Sequence, residues 1–134
     1  MIIGTGNDLV NIDRIDKTIG RYGVRFIDRI FTATEKEKSE NRRKRIESYA
    51  KRFAAKEACA KALGTGFRDG VFWRDIGVVN LQNGLPTIEL TGGAAKRLQN
   101  IIPPGMEVEV HLALTDEPPL ASATVIISAK PVTQ

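Results

Sequence analysis

Apolar and polar positions alternate from Met106 to Leu114, with Val108, Val110, Leu112 and Leu114 on one face. That period of two predicts a half-buried strand. Leu120 to Ser128 is a second run of this kind and predicts its antiparallel partner. Ile76 to Leu81 and Leu85 to Leu90 flank Gln82-Asn83-Gly84, a turn-forming sequence that predicts a hairpin. Met1 to Ile12 predicts one more strand. Ile2, Gly4, Gly6, Asp8, Val10 and Ile12 share one face; Ile3, Thr5, Asn7, Leu9 and Asn11 share the other. Two glycines inside a strand predict a close backbone approach or a bulge.

The remaining segments are helical. Asp13 to about Phe31 predicts a helix broken at Gly20 and Gly23. Thr32 or Thr34 caps the next one, with Glu35 and Glu37 in its first turn. Arg45 to Leu63 contains no glycine or proline, is rich in alanine, and is followed by Gly64 at the C′ position. It is the clearest helix in the chain. Gly66 to Arg74 is expected as a loop. Thr91 caps a short helix, Gly92 to Ile101, closed by Pro103-Pro104-Gly105. These elements predict an α+β fold, one antiparallel sheet packed on a long central helix. The domain is expected to span 1–129, with 130–134 a frayed tail.

Composition narrows the picture. A chain of 134 residues fits one domain. No apolar run approaches the roughly 20 residues of a membrane helix, and the start lacks a secretory pattern. Cys59 is the only cysteine, which excludes an intramolecular disulfide and suggests a reducing, cytoplasmic setting. The net charge is +4, and fifteen of the 20 Lys and Arg lie between Asp13 and Lys61, including Arg42-Arg43-Lys44-Arg45. Such a half either meets an acidic or phosphate-rich partner or forms a solvated face.

Two carboxylates stand out. Ile46, Ala50, Phe53 and Ala60 form one stripe of the long helix, and Glu57 falls inside it. Asp8 shares its strand face with Ile2, Val10 and Ile12. A buried carboxylate must be neutralised, paired or bound to metal. Lys61, four residues after Glu57, is one available partner. Alone, Glu57 can reach solvent and Asp8 can cap the strand end. Together they suit a hard cation such as magnesium, which accepts one or two carboxylates and takes further ligands from phosphate. Gly64-Thr65-Gly66 is either a helix cap or a turn aimed at an anion. Neither GTGNDLV nor GTGFRDG has Walker spacing, and no dinucleotide fingerprint is present. His111, the only histidine, lies on the polar face of its strand with no partners for a catalytic triad.

GTGNDLV near the start, RFAAKEACAKALGTG on the central helix and HLALTDEPPLASATVI near the end resemble the holo-[acyl-carrier-protein] synthase family. This is the small single-domain branch of the phosphopantetheinyl transferases. The resemblance covers nearly the whole chain and implies the phosphopantetheinyl transferase fold. The family's aliphatic residue between Gly6 and Asp8 is Asn7 here, and a frequent serine is Ala113. The implied reaction moves the 4′-phosphopantetheine arm of coenzyme A onto a serine of acyl carrier protein, for fatty acid biosynthesis. Adenosine 3′,5′-bisphosphate is released.

In this resemblance Asp8 and Glu57 match magnesium ligands, and Lys61 matches a lysine beside the pyrophosphate. Gly64, Thr65, Gly66 and His111 match the cofactor site. Arg14, Arg21 and Arg25 match the carrier-protein docking surface on the first helix. The family's homotrimer, with active sites between subunits, is implied too. Neutralising phosphate charge is what such a transfer requires. The serine proton also needs a base: a carboxylate, a water at the cation, or His111.

Two other readings compete. A basic RNA-binding module would use Arg42 to Arg45 together with Lys51, Arg52 and Lys56. Aromatics are only 6%, however, and no strand has a stacking pattern, so no nucleic-acid partner is expected. A structural subunit would pack its glycine-rich first strand on a partner.

Overall fold

Strand β1 (Ile2–Asn11) turns directly into helix α1 (Ile12–Tyr22) in the computed structural model, which describes residues 1–133. Asn11 Oδ1 accepts the amides of Asp13 and Arg14, so the last strand residue is also the helix cap. Ile12 therefore opens the helix rather than ending the strand. Helices α2 (Val24–Ile30), α3 (Ala33–Glu40) and α4 (Arg45–Leu63) follow. Thr32, not Thr34, caps α3. Its hydroxyl accepts the Glu35 amide at 3.2 Å, and the Glu35 carboxylate accepts the Thr32 amide at 2.8 Å, forming a capping box.

After α4 come a 3₁₀ turn (Trp73–Asp75), strands β2 (Ile76–Asn80) and β3 (Pro86–Leu90), helix α5 (Gly92–Ile101), and strands β4 (Met106–Glu117) and β5 (Leu120–Pro131). The fold is α+β, with an antiparallel sheet in the order β1-β5-β4 packed on α4. The β2-β3 hairpin is a separate two-stranded sheet, so the single sheet expected from the pattern is divided in two. The expected tail also differs. Pro131 pairs with Met106 and Lys130 with Glu107, and the Lys130 ammonium lies 2.9 Å from Glu109. Cross-strand pairing thus carries β5 through Pro131. Gln134, the end of the expected tail, lies outside the described residues.

Helix α4 is buried on most sides. Ala50, Ala54, Ala55, Ala58, Ala60 and Ala62 keep its surface thin, so β1 and β5 pack close to its backbone. Gly4 and Gly6 complete this approach: a Cβ on either would collide with the carbonyl of Ala62 or Ala58. On the other side, Phe31 and Tyr49 pack with ring centroids 4.7 Å apart.

Two residues of the expected basic face are interior. Arg52 is 4% exposed and Lys56 is fully buried. The Lys56 ammonium lies 2.6 Å from Glu35 Oε1, and that carboxylate is fully buried as well. Burial of an ammonium is tolerated only with such a partner.

Gly6→Ala is expected to lose about 1–3 kcal/mol or more of stability, because the obstacle is backbone that cannot repack. Gly20→Ala, in α1 with open space around its Cβ position, is expected to gain about 0.5–1 kcal/mol. Urea unfolding of both variants measures the contrast.

Candidate active site

Glu57 and Lys61 lie one turn apart on α4, facing β1. The glycine contacts set the strand against this helix, and alternation then turns Asp8 inward at 8% exposure. Lys61 Nζ donates to Asp8 Oδ1 at 3.1 Å and to the Asn7 carbonyl at 3.0 Å. Among the described residues, the Glu57–Lys61 ion pair that the spacing makes available is not formed. Lys61 reaches across to β1 because Asp8 and a backbone acceptor lie there together.

The charge balance at this point is incomplete. Asp8 Oδ2 is buried and has no hydrogen-bond partner among the described residues. Burial pushes the Glu57 carboxyl above its ordinary range. The negative charge of Asp8 pushes the same way, while Lys61 opposes it. Two close carboxylates therefore lie beside one lysine, which pairs with Asp8. No group of three or more Asp, Glu, His or Cys suited to a metal is present among the described residues. The pair can supply two oxygens to a hard cation whose other ligands come from water and phosphate. The orphaned, buried Oδ2 is the feature such a cation would satisfy.

A cleft of about 300 Å³ opens beside the pair and is lined by Asp8, Arg14, Phe26, Phe53 and Glu57. Phe26 and Phe53 form its apolar side, with ring centroids 6.2 Å apart. Sequence reasoning assigned neither of them to the site. The presence of Phe53 in the Glu57 stripe was the available signal.

The other expected residues lie as follows. Gly64 is left-handed, with φ of 81°, and its amide donates to the Lys61 carbonyl at 3.0 Å. The Gly66 amide donates to the Ala60 carbonyl at 3.1 Å. Both amides cap α4, so in this arrangement neither is free for an anion. The Thr65 hydroxyl donates to the Gly66 carbonyl. His111 is not beside Asp8. It pairs with Ile126, whereas Asp8 pairs with Ala123, and alternation puts these positions on opposite faces of the sheet. His111 Nε2 lies 3.0 Å from Ser128 Oγ on the face turned away from α4.

Arg14, Arg21 and Arg25 are exposed, but Arg25 belongs to α2 rather than to the first helix. Arg21 lies over the Tyr22 ring at 5.2 Å. Of the basic run, Arg42, Arg43 and Lys44 line a groove with Lys51 and Asp116, while Arg45 is paired with Glu40 at 2.8 Å. Cys59 is buried and its thiol is pushed up to about 12 by burial, which keeps it unreactive.

Residues 4–113 match the model of the 4′-phosphopantetheinyl transferase superfamily. A holo-[acyl-carrier-protein] synthase of Mesorhizobium japonicum is 62% identical over 134 residues, covering 100% of this chain and 98% of that protein. The crystal structure of the Neisseria meningitidis holo-[acyl-carrier-protein] synthase superposes with a TM-score of 0.84 at 36% identity, over 96% of this chain and 99% of that one. The Bacillus anthracis holo-(acyl-carrier-protein) synthase, solved in complex with CoA (3′,5′-ADP), gives a TM-score of 0.75 at 32% identity, over 95% and 96% of the two chains.

The raised Glu57 carboxyl has a consequence in cation-free protein. The folded state binds that proton more tightly than the unfolded chain does. Its stabilising effect is therefore complete at low pH and is lost as pH rises past the unfolded glutamate value of about 4.3 toward the raised folded one. Glu57→Gln removes the titration. In EDTA, the variant is expected to melt above wild type at neutral pH, and the gap is expected to narrow as pH falls. Thermal melts across that range check it.

Proposed function

The chain belongs to the 4′-phosphopantetheinyl transferase superfamily, among its holo-[acyl-carrier-protein] synthases, and from that premise we propose how its own residues carry out the reaction. The enzyme transfers 4′-phosphopantetheine from coenzyme A to a serine of acyl carrier protein. The serine hydroxyl gives up its proton to a general base, and its oxygen forms a new bond to the phosphorus that carries pantetheine. The bond from that phosphorus to the bridging pyrophosphate oxygen breaks, and adenosine 3′,5′-bisphosphate departs with the bond's electron pair.

Asp8 and Glu57 would hold a magnesium ion. The observation that carries this reading is the buried, unpartnered Asp8 Oδ2 next to a carboxyl whose ionisation is disfavoured by burial and by the charge of Asp8. When bound, the ion supplies positive charge to the phosphate oxygens and to the leaving group. Lys61 is anchored to Asp8 Oδ1 and the Asn7 carbonyl and yet remains exposed. Its ammonium is thus held beside Asp8, where it would face the pyrophosphate. Phe26 and Phe53 wall the cleft and limit water on one side. Gly64, Thr65 and Gly66 form the turn beside the cofactor and contribute close backbone surface.

His111 faces away from Asp8 in its own chain, which supports a homotrimer in which it serves a neighbouring protomer's cofactor site. Arg14, Arg21 and Arg25 form the carrier-protein docking surface, and Arg14 also reaches the cleft. An acidic carrier is then steered to the serine's point of attack. We assign the enzyme to the cytoplasm, in keeping with its single buried cysteine. Among the described residues, no helix is long and apolar enough to cross a membrane.

Apo acyl carrier protein incubated with coenzyme A and this enzyme is expected to gain the mass of the phosphopantetheine arm, and a chelator is expected to stop the gain. Glu57→Ala should lower turnover by about 10²–10³-fold; near-wild-type activity in that variant would contradict the metal assignment.

Arg14→Glu and Arg21→Glu are expected to raise KM for the carrier more than KM for coenzyme A, with an effect that shrinks in high salt. Equal losses for both substrates would argue against docking.

A further inference from the structure

The Lys56 ammonium is completely buried, one residue from Glu57, and gathers three acceptors. Two segments supply these three: it pairs with Glu35 Oε1 at the start of α3, and within the contiguous Trp73–Ile76 segment it donates to the Trp73 carbonyl at 3.2 Å and to the Ile76 carbonyl. The second oxygen of Glu35 accepts the Val78 amide at 2.8 Å. Stability alone does not account for this charge, since well-packed apolar residues do as well or better in such places.

What the ammonium holds in place is informative. Trp73 stacks on Phe53 at 4.9 Å on one side and on Phe67 at 3.7 Å on the other. Phe53 lines the cleft beside Asp8 and Glu57. Phe67 lies in the connection that begins at Gly64. The near end of this connection is held by the α4 cap and by Arg97, which donates to the Leu63 carbonyl at 2.8 Å. Its far end reaches α4 through the Trp73 and Ile76 carbonyls and the aromatic column.

We infer that Lys56 is a positioning residue for phosphopantetheine transfer: it docks the Trp73–Ile76 segment on α4 and thereby fixes, through Phe53, Trp73 and Phe67, where the Gly64–Phe67 turn stands against coenzyme A. This deepens the functional reading above and rests on it. Lys56 does not touch substrate. It sets the distance between the cofactor turn and the Asp8–Glu57 pair, and small misplacements at such distances are costly to transfer.

The test is the double variant Lys56→Met with Glu35→Gln, which removes both charges and leaves neither one buried alone. Trp73 is the only tryptophan, so its emission reports the stack directly. The expected result is a folded protein with red-shifted emission, KM for coenzyme A raised about tenfold or more, and KM for the carrier within twofold of wild type. Unchanged emission with KM for coenzyme A within twofold of wild type would overturn the inference. Phe67→Ala leaves the ion pair intact and is the companion variant should the double variant not fold. It is expected to raise KM for coenzyme A in the same way, and no change would overturn the inference. A wild type unable to use coenzyme A would remove the functional reading and this one with it; an active wild type matched by both variants removes this one alone.

Discussion

The backbone of β1 touches the backbone of α4 at Gly4 and Gly6, where the Ala62 and Ala58 carbonyls leave no room for a side chain. Much of the molecule follows from this contact. It draws the strand onto the helix more closely than any side-chain layer would permit. Period-two alternation then carries Asp8 inward, two residues past Gly6. The helical turn brings Glu57 and Lys61 to the same place. The resulting site is built by close packing, which accounts for its unusual charge state: a buried carboxylate oxygen without a partner beside a second carboxyl that resists ionisation. On the proposed reading, these are the groups that a divalent cation would hold together.

The electrostatics form two layers with different purposes. Near the cleft, Lys61 is anchored yet exposed, available to a phosphate. Deeper, Lys56 and Glu35 satisfy each other and several backbone groups, and so organise the connection that follows α4. The sheet separates a further contribution. His111 faces outward with Ser128, on the surface turned away from α4, and on the proposed reading it would serve a site completed by another protomer.

Much of the architecture was legible in the residues. The alternation of β4 and β5, the Asn83-Gly84 hairpin turn, and the alanine-rich α4 with Gly64 at its end each carry a local signal. The glycines of β1 also announced a close approach. Asp8 and Glu57 were visible as carboxylates on faces otherwise apolar that together suit a hard cation, and the resemblance to a known family named the phosphate it would serve. Long-range features were not legible. Lys56 and Arg52 sat in a basic run and read as surface, because nothing local reveals that Glu35 and two carbonyls distant in sequence converge on Lys56. Helical spacing offered Lys61 to Glu57, the nearer carboxylate along the helix, but Asp8 lies across the contact. The separation of β2 and β3 from the main sheet, and the pairing of Lys130 and Pro131 with β4, depend on register, which no single segment encodes.

The central claim is that Asp8 and Glu57 together hold a divalent cation against the pyrophosphate of coenzyme A. Its most direct test is the anomalous density of manganese in crystals grown with coenzyme A. The account predicts one manganese ion coordinated by Asp8 Oδ2, a Glu57 carboxylate oxygen and pyrophosphate oxygens, with Lys61 still on Asp8 Oδ1. Manganese bound to the nucleotide alone, with both carboxylates outside its coordination shell, would contradict it.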